Sequence, residues 1–206
     1  MLDNLSAQGI IFIIASLLIS MTIHEFMHAY VGYKLGDTTA ESSGRLSLNP
    51  LKHIDPVMTV LLPIASIVLF KALFLAAKPV PFDPDRVKHG NYGVALLAVA
   101  GPLSNLVLAI IGVVALQRIS FTGAAENFIQ FFIQINIFVF IFNLVPIPPL
   151  DGSRVLYAFA PEPVQDFMRT IEPFGFYIII AIVLLGGFSG LLSPLYNDVL
   201  SLISHI

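Results

Sequence analysis

The sequence predicts an all-α polytopic membrane protein, and three observations carry that prediction. Hydrophobic residues make up 57% of the 206 positions and charged residues only 11%, against about 25% charge in a typical soluble domain. The mean hydropathy is +0.89. Several apolar runs also approach the roughly 20 residues that a membrane-crossing helix needs. A chain this poor in charge cannot cover a water-facing surface. The net charge of −3 excludes a strongly basic nucleic-acid binder, and the apolar excess excludes disorder. The absence of Cys removes disulfides, a thiol nucleophile and Cys-ligated metal sites.

The elements follow in order. Residues 1–9 contain Asp3 and no Lys or Arg, so they lack the positive region of a cleavable signal. The first apolar run, 10 to about 31, is therefore expected to remain as a span. The second, 57–77, is interrupted by Pro63 and Lys71. The third, 94–116, has Gly101-Pro102 near its start. The fourth, 127–150, ends in the Pro-rich run Pro146, Pro148, Pro149. Residues 151–173 mix polar and apolar side chains, as a short interfacial helix does. A last span covers 174–192, and 195–206 reads as an amphipathic tail. No internal repeat or soluble linker is evident, so the chain reads as one integral membrane domain.

The positive charges discriminate between two topologies. If 57–77 crosses once, Lys and Arg divide almost evenly between the two sides. If it dips in and returns, Lys34, Arg45, Lys52, Lys78, Arg86, Lys88, Arg154 and Arg169 share one side and Arg118 lies opposite. The positive-inside rule favours the second arrangement, and Pro63 and Lys71 suit a broken segment. Four crossings and one excursion are expected, with the chemistry facing the positive, cytoplasmic side of a cell membrane.

The strongest chemical signal is His24-Glu25-Phe26-Met27-His28. On a helix, positions i and i+4 share a face, so both imidazoles reach one ion. Zinc accepts neutral imidazole nitrogens, and a catalytic site leaves one position open. Glu25, beside the first ligand, can take a proton from an attacking water. With five His and five Glu in the chain, chance supplies roughly 0.003 such matches. The motif lies about 22 Å along the first apolar helix, at 1.5 Å per residue. Three ionisable groups at that depth are expensive, and a metal is the simplest reason to tolerate them.

A third ligand is required, and Glu41, His53, Asp55, His89 and Asp151 are the candidates. Asp151 is favoured by position. It follows a proline-broken stretch, which at membrane depth is tolerated only beside protein or a wet cavity. Gly152 permits close approach, and the re-entrant topology puts Asp151 on the His-pair side. Its competing reading is an N-cap for a helix over 152–160. His53 lies in a polar loop and reads as solvated, ahead of a metal-supporting or gating role. His89 and His205 read as surface residues. Asn105 and Asn143 have two open uses: helix–helix hydrogen bonding, or holding substrate backbone and stabilising an oxyanion.

Three elements together resemble the site-2 protease family of zinc intramembrane metalloproteases. They are His24 to His28, Gly101-Pro102-Leu103-Ser104-Asn105, and Asn143-Leu144-Val145-Pro146 through Leu150-Asp151-Gly152. The resemblance covers about 10–160. It implies a three-helix metalloprotease core, one zinc held by His24, His28 and Asp151, Glu25 as general base, and cleavage of a transmembrane or juxtamembrane segment of another membrane protein. The runs Gly44-Arg45-Leu46-Ser47-Leu48-Asn49-Pro50 and Ala77-Lys78-Pro79-Val80-Pro81 resemble the small branch without attached soluble domains.

Residues 38–50 alternate in places and are expected to form a short membrane-associated strand or hairpin that receives an extended substrate. The competing function is a metal transporter using the same His, Glu and Asp cluster. Transporters often carry inverted repeats with broken helices in matching positions, and no matching half is present.

Overall fold

A computed structural model describes residues 6–54 and 80–205. The excursion expected over 57–77 and the candidate ligand Asp55 lie outside them. Helix α1 is Ala7–Lys34, α2 is the single turn Thr39–Ser42, α3 is Gly90–Arg118 and α4 is Ala124–Asn143. Then come α5 (Asp151–Phe159), α6 (Glu162–Ile171), α7 (Gly175–Leu184) and α8 (Gly187–Ser204), with 3-10 turns at Pro50–Lys52 and Glu172–Phe174. Helices α1, α3 and α4 are long and apolar enough to cross a membrane. The protein is a helical, multi-pass membrane protein.

Helix α1 is inside-out by the standard of a water-soluble helix. Its buried residues include Ser16, Ser20, His24, Glu25, His28, Ala29 and Gly32, while Ile10, Ile11, Ile14, Leu18 and Ile19 are exposed. The buried set recurs every four residues, which keeps it on one face. In hydrocarbon this polarity is favourable. Lipid is as apolar as Leu, and small or polar residues let helices approach and hydrogen-bond. Helix α3 repeats the pattern, burying Ala98, Gly101, Asn105 and Gly112 and exposing Leu96, Leu103, Val107 and Ile111. It packs against α1, α4 and α5.

A second seam is apolar. Ile133, Ile137 and Ile141 of α4 pack with Ala109 and Val113 of α3, Ile179 of α7, and Leu192 and Ile203 of α8. Val145 and Leu150, from the connection after α4, close the cluster.

The connections divide the charges between the two ends. Asp37, just beyond α1, accepts from the Thr39 N–H and hydroxyl and from the Asp83 N–H at 2.9 Å, and the Lys88 N–H donates to the Leu35 carbonyl. Burial alone would raise the Asp37 carboxyl, but these donors and Arg86 outweigh it and hold it below the usual carboxylate range. The loops on both sides of 55–79 therefore meet at the C-terminal end of α1. Arg154 stacks over Phe82 at that same end. Arg118 lies at the opposite end, where neighbouring Gln117 donates to the Ser204 carbonyl.

Four expectations are corrected. The strand over 38–50 is absent. Residues 39–42 close a helical turn, and Arg45 N–H turns back to the Ala40 carbonyl, so local bonds take the groups a strand would present. The fourth apolar run stops being helical at Asn143. The segment 151–173 is two helices, broken at Ala160-Pro161, because Pro161 disfavours helical backbone at the residue before it. The last span, 174–192, is also two helices. Gly186, at φ 71°, ends α7 after 10 residues, about 15 Å of rise, and the expected tail is the second half of α8.

Candidate metal centre and active site

The centre starts from the i, i+4 pair. His24 and His28 are buried on α1, and their Nε2 atoms lie 3.0 Å apart. Each ring is oriented through its other nitrogen. His28 Nδ1–H donates to the Leu97 carbonyl at 2.8 Å, and His24 Nδ1 pairs with Asn105 Oδ1 at 2.7 Å. An acceptor-only oxygen at Nδ1 requires the proton there, which leaves Nε2 with a free lone pair. Both rings lie against Gly101. A Cβ at that position would come within 2.4 Å of His28 Nε2 and 2.7 Å of His24 Nε2. The glycine is a condition of the site. Pro102 beside it cannot donate to the Ala98 carbonyl, which opens α3 where the imidazoles dock.

Asp151 reaches the pair from the far side of the fold. After α4, turns at Val145, Ile147 and Leu150 fold 144–150 back on themselves. Leu150 is the N-cap of α5 and Asp151 its first residue, and no side chain caps this helix end. The carboxylate points inward: Oδ2 lies 3.1 Å from His24 Nε2 and 3.3 Å from His28 Nε2. Gly152 permits this approach, since a Cβ there would meet the Leu144 carbonyl at 2.1 Å.

The three residues form a group able to hold a metal ion. Their donor set fits one. In the neutral rings that a metal binds, the Nδ1 proton leaves both Nε2 lone pairs facing Asp151 Oδ2, and that oxygen has no hydrogen-bond partner. Three lone-pair donors converging within about 3 Å repel one another unless a cation sits among them. Two imidazoles and one carboxylate suit zinc with an open position.

Glu25 and this group line one cavity of ≈ 1100 Å³, whose walls are mostly apolar and include Leu17, Val94, Phe131 and Phe138. Asn143 lies on its wall, with Nδ2 donating to the Val139 carbonyl at 3.0 Å. Glu25 Oε2 accepts the Val80 N–H at 3.0 Å, so the chain entering α3 passes directly over the carboxylate. The sequence assigned no site contact to Val80 or Leu97, because backbone groups leave no residue-type signal.

The remaining candidates separate clearly. Asn105 is fully buried and has no atom available to a substrate. Its oxygen faces His24, and its Nδ2 donates to Ser20 Oγ at 2.8 Å and Asn136 Oδ1 at 3.0 Å. The substrate or oxyanion use of Asn105 is therefore replaced by orientation of a ring. His53 is 3% exposed rather than solvated. Its Nε2 pairs with the Ser47 carbonyl at 2.7 Å, and Arg45 bonds the Lys52 carbonyl beside it. His53 supports its own loop and lies outside the metal group. Glu41, His89 and His205 are exposed. Ser20 and Asn136 were not singled out from the sequence. Their signals were the four-residue spacing from Ser20 to His24 and the seven-residue spacing from Asn136 to Asn143.

Comparison with known proteins agrees with this geometry. The chain is 36% identical over 195 residues to "Putative zinc metalloprotease YwhC" of Bacillus subtilis, covering 90% of this chain and 86% of that protein. The chain belongs to peptidase family M50. Residues 112–186, which include Asn143 and Asp151, match that family directly. "Putative zinc metalloprotease Rip2" of Mycolicibacterium smegmatis is 30% identical over 189 residues, covering 87% of this chain and 70% of the relative. "Putative zinc metalloprotease MJ0611" of Methanocaldococcus jannaschii is 37% identical over 89 residues, 43% of this chain and 45% of the relative. No solved structure matches at a significant level. The protein is a metalloprotease by family, with zinc the implied metal, and the protease names favour that reading over a transporter.

Proposed function

We propose that this chain is a zinc-dependent intramembrane endopeptidase that cuts transmembrane or juxtamembrane segments of other membrane proteins in the lipid bilayer. One observation carries the reading. His24, His28 and Asp151 converge beside Glu25 on an apolar cavity within a bundle of membrane-length helices. His24, His28 and Asp151 would hold one zinc. When bound, zinc supplies a Lewis acid that polarises the scissile carbonyl and acidifies water.

Glu25 performs the proton chemistry as general base. It takes a proton from the attacking water and returns it to the leaving amine. The apolar walls exclude bulk water, which strengthens every charge interaction inside. A helical substrate hides its amides in i to i−4 bonds, so the cleaved stretch is locally extended when it enters. Asn143, on the cavity wall, is placed to hold that stretch. Val80 N–H takes one acceptor site of Glu25 Oε2, and the rest of the carboxylate keeps acceptor capacity for the arriving water. The positive charges at the C-terminal end of α1 support an active site toward the cytoplasmic side of the cell membrane.

The test compares wild type with Glu25→Gln in proteoliposomes containing a single-span reporter protein. Wild type is expected to contain about one zinc per chain and to cut the reporter within or beside its span. Glu25→Gln is expected to keep the zinc and lose about 10²–10⁴-fold in rate. Cleavage by Glu25→Gln at the wild-type rate would remove Glu25 from the role of base. Repeated wild-type preparations without metal would break the reading of the site.

A further inference from the structure

We infer that Asn136 is a positioning residue for the metal centre: its amide sets which way the Asn105 amide faces, and so holds His24 with Nδ1 protonated and Nε2 free to bind. This inference rests on the reading that His24, His28 and Asp151 hold zinc.

The relay begins at an atom that has only one possible role. The Phe132 carbonyl can only accept, so the end of Asn136 facing it at 2.8 Å is the NH2 group. Asn136 Oδ1 is thereby turned to the neighbouring helix. It lies 3.0 Å from Asn105, so the end of Asn105 facing it is again the NH2 group. The rest of that NH2 goes to Ser20, to Oγ at 2.8 Å and, at a long 3.4 Å, to its carbonyl, so the short bond to Asn136 is the one between side-chain amides that fixes the polarity. Only Asn105 Oδ1 is left to face His24 Nδ1, at 2.7 Å. An oxygen there requires the imidazole proton on Nδ1.

The alternative arrangement shows why the polarity matters. A flipped Asn105 would present NH2 to Nδ1 and drive the proton to Nε2. That proton would point at His28 Nε2 and Asp151 Oδ2 and block a ligand's lone pair. Two amides and one serine thus carry a fixed polarity from the α4 backbone to a ring on α1. Asn105, Asn136 and Ser20 are all completely buried, so water cannot replace a lost partner cheaply. Asn136 does not line the cavity, and its hydrogen bonds run to Asn105 and Phe132. His28 needs no such relay, because the Leu97 carbonyl fixes its tautomer directly.

The experiment uses the full-length detergent-solubilised protein and three readouts. These are zinc affinity by chelator competition, the visible spectrum of the cobalt-substituted protein, and thermal unfolding without metal. Asn136→Leu keeps the branched shape, adds some bulk and removes both polar ends. Asn136→Asp is the conservative variant, because a protonated carboxyl in a dry site offers O–H to Phe132 and a carbonyl oxygen to Asn105. Asn136→Leu is expected to weaken zinc about 10–100-fold, the usual cost of losing a partner behind a metal ligand, and to change the cobalt spectrum. Asn136→Asp is expected to restore both toward wild type. If Asn136→Leu does not fold, Asn136→Ala carries the same expectation. Wild-type affinity in Asn136→Leu or Asn136→Ala would overturn the inference. So would equal weakening in Asn136→Asp and Asn136→Leu, which would assign Asn136 to packing alone. A wild-type protein that takes up neither zinc nor cobalt would overturn the metal reading itself, and the positioning role with it.

Discussion

The seam between α1 and α3 and the seam between α4 and the C-terminal helices solve different problems. The first buries Ser16, Ser20, His24, His28 and Asn105, and Asn136 reaches it from α4. The second buries Ile137, Ile141, Val145, Leu150, Ile179 and Leu192. Hydrogen bonds are directional, so the polar seam fixes the rotation of rings and amides to within a bond angle. Dispersion is not directional and fixes only volume and distance. The chemistry sits in the polar seam because a metal site tolerates little angular error. The apolar seam delivers Asp151 to it, since Val145 and Leu150 flank the proline-rich turns that end at that carboxylate.

The largest expected effect breaks the polar seam at its tightest point. Gly101→Ala puts a methyl group 2.4 Å from His28 Nε2 and 2.7 Å from His24 Nε2, against imidazoles anchored through Nδ1. Zinc content of the purified variant is expected to fall below detection while the protein remains helical by circular dichroism. Stoichiometric zinc in this variant would show that the rings move freely and that the seam is less rigid than its bonds imply.

A smaller effect distinguishes what the two seams contribute. Ile137→Ala in the apolar seam is expected to cost about 2–5 kcal/mol of stability and to leave zinc affinity unchanged. Asn105→Ala should do the reverse in emphasis, weakening zinc about 10–100-fold. Equilibrium unfolding and chelator competition, run on both variants, check the pair. Parallel losses in both measurements would erase the distinction between the seams.

The smallest effect concerns the loops that join at Asp37. Its folded pKa lies below the unfolded value. The stability it contributes is therefore complete above the unfolded value of about 3.9 and is lost as pH falls through the folded value. Asp37→Asn removes that acid-side slope. Unfolding measured from pH 7 downward should show wild type and variant converging in acid. A gap that persists at the lowest pH would assign the effect to hydrogen-bond geometry rather than to charge.

Much of this was legible in the residues. Helix α1 and its paired histidines were readable because both signals are local: apolar length gives the span and the four-residue spacing gives the shared face. Asp151 was readable because a charge behind a proline-broken apolar run needs a reason to be there. The division of positive charge agrees with the described loops, which gather at one end. The strand over 38–50 was misread because short alternation is satisfied equally well by turns that bond back on themselves. The last span was misread because two adjacent glycines permit a break that hydropathy averages away.

The sequence by itself determined that this chain lives among lipids and carries a His-Glu-His metal motif on a helix, since composition and helical period need no partner to be read. Only the tertiary structure decided that the Asn105 oxygen faces His24, that Val80 lies on Glu25, and that Asn136 accepts from Asn105. Those roles depend on which end of a planar amide faces which neighbour. That is a property of three helices meeting, and no single one of them encodes it.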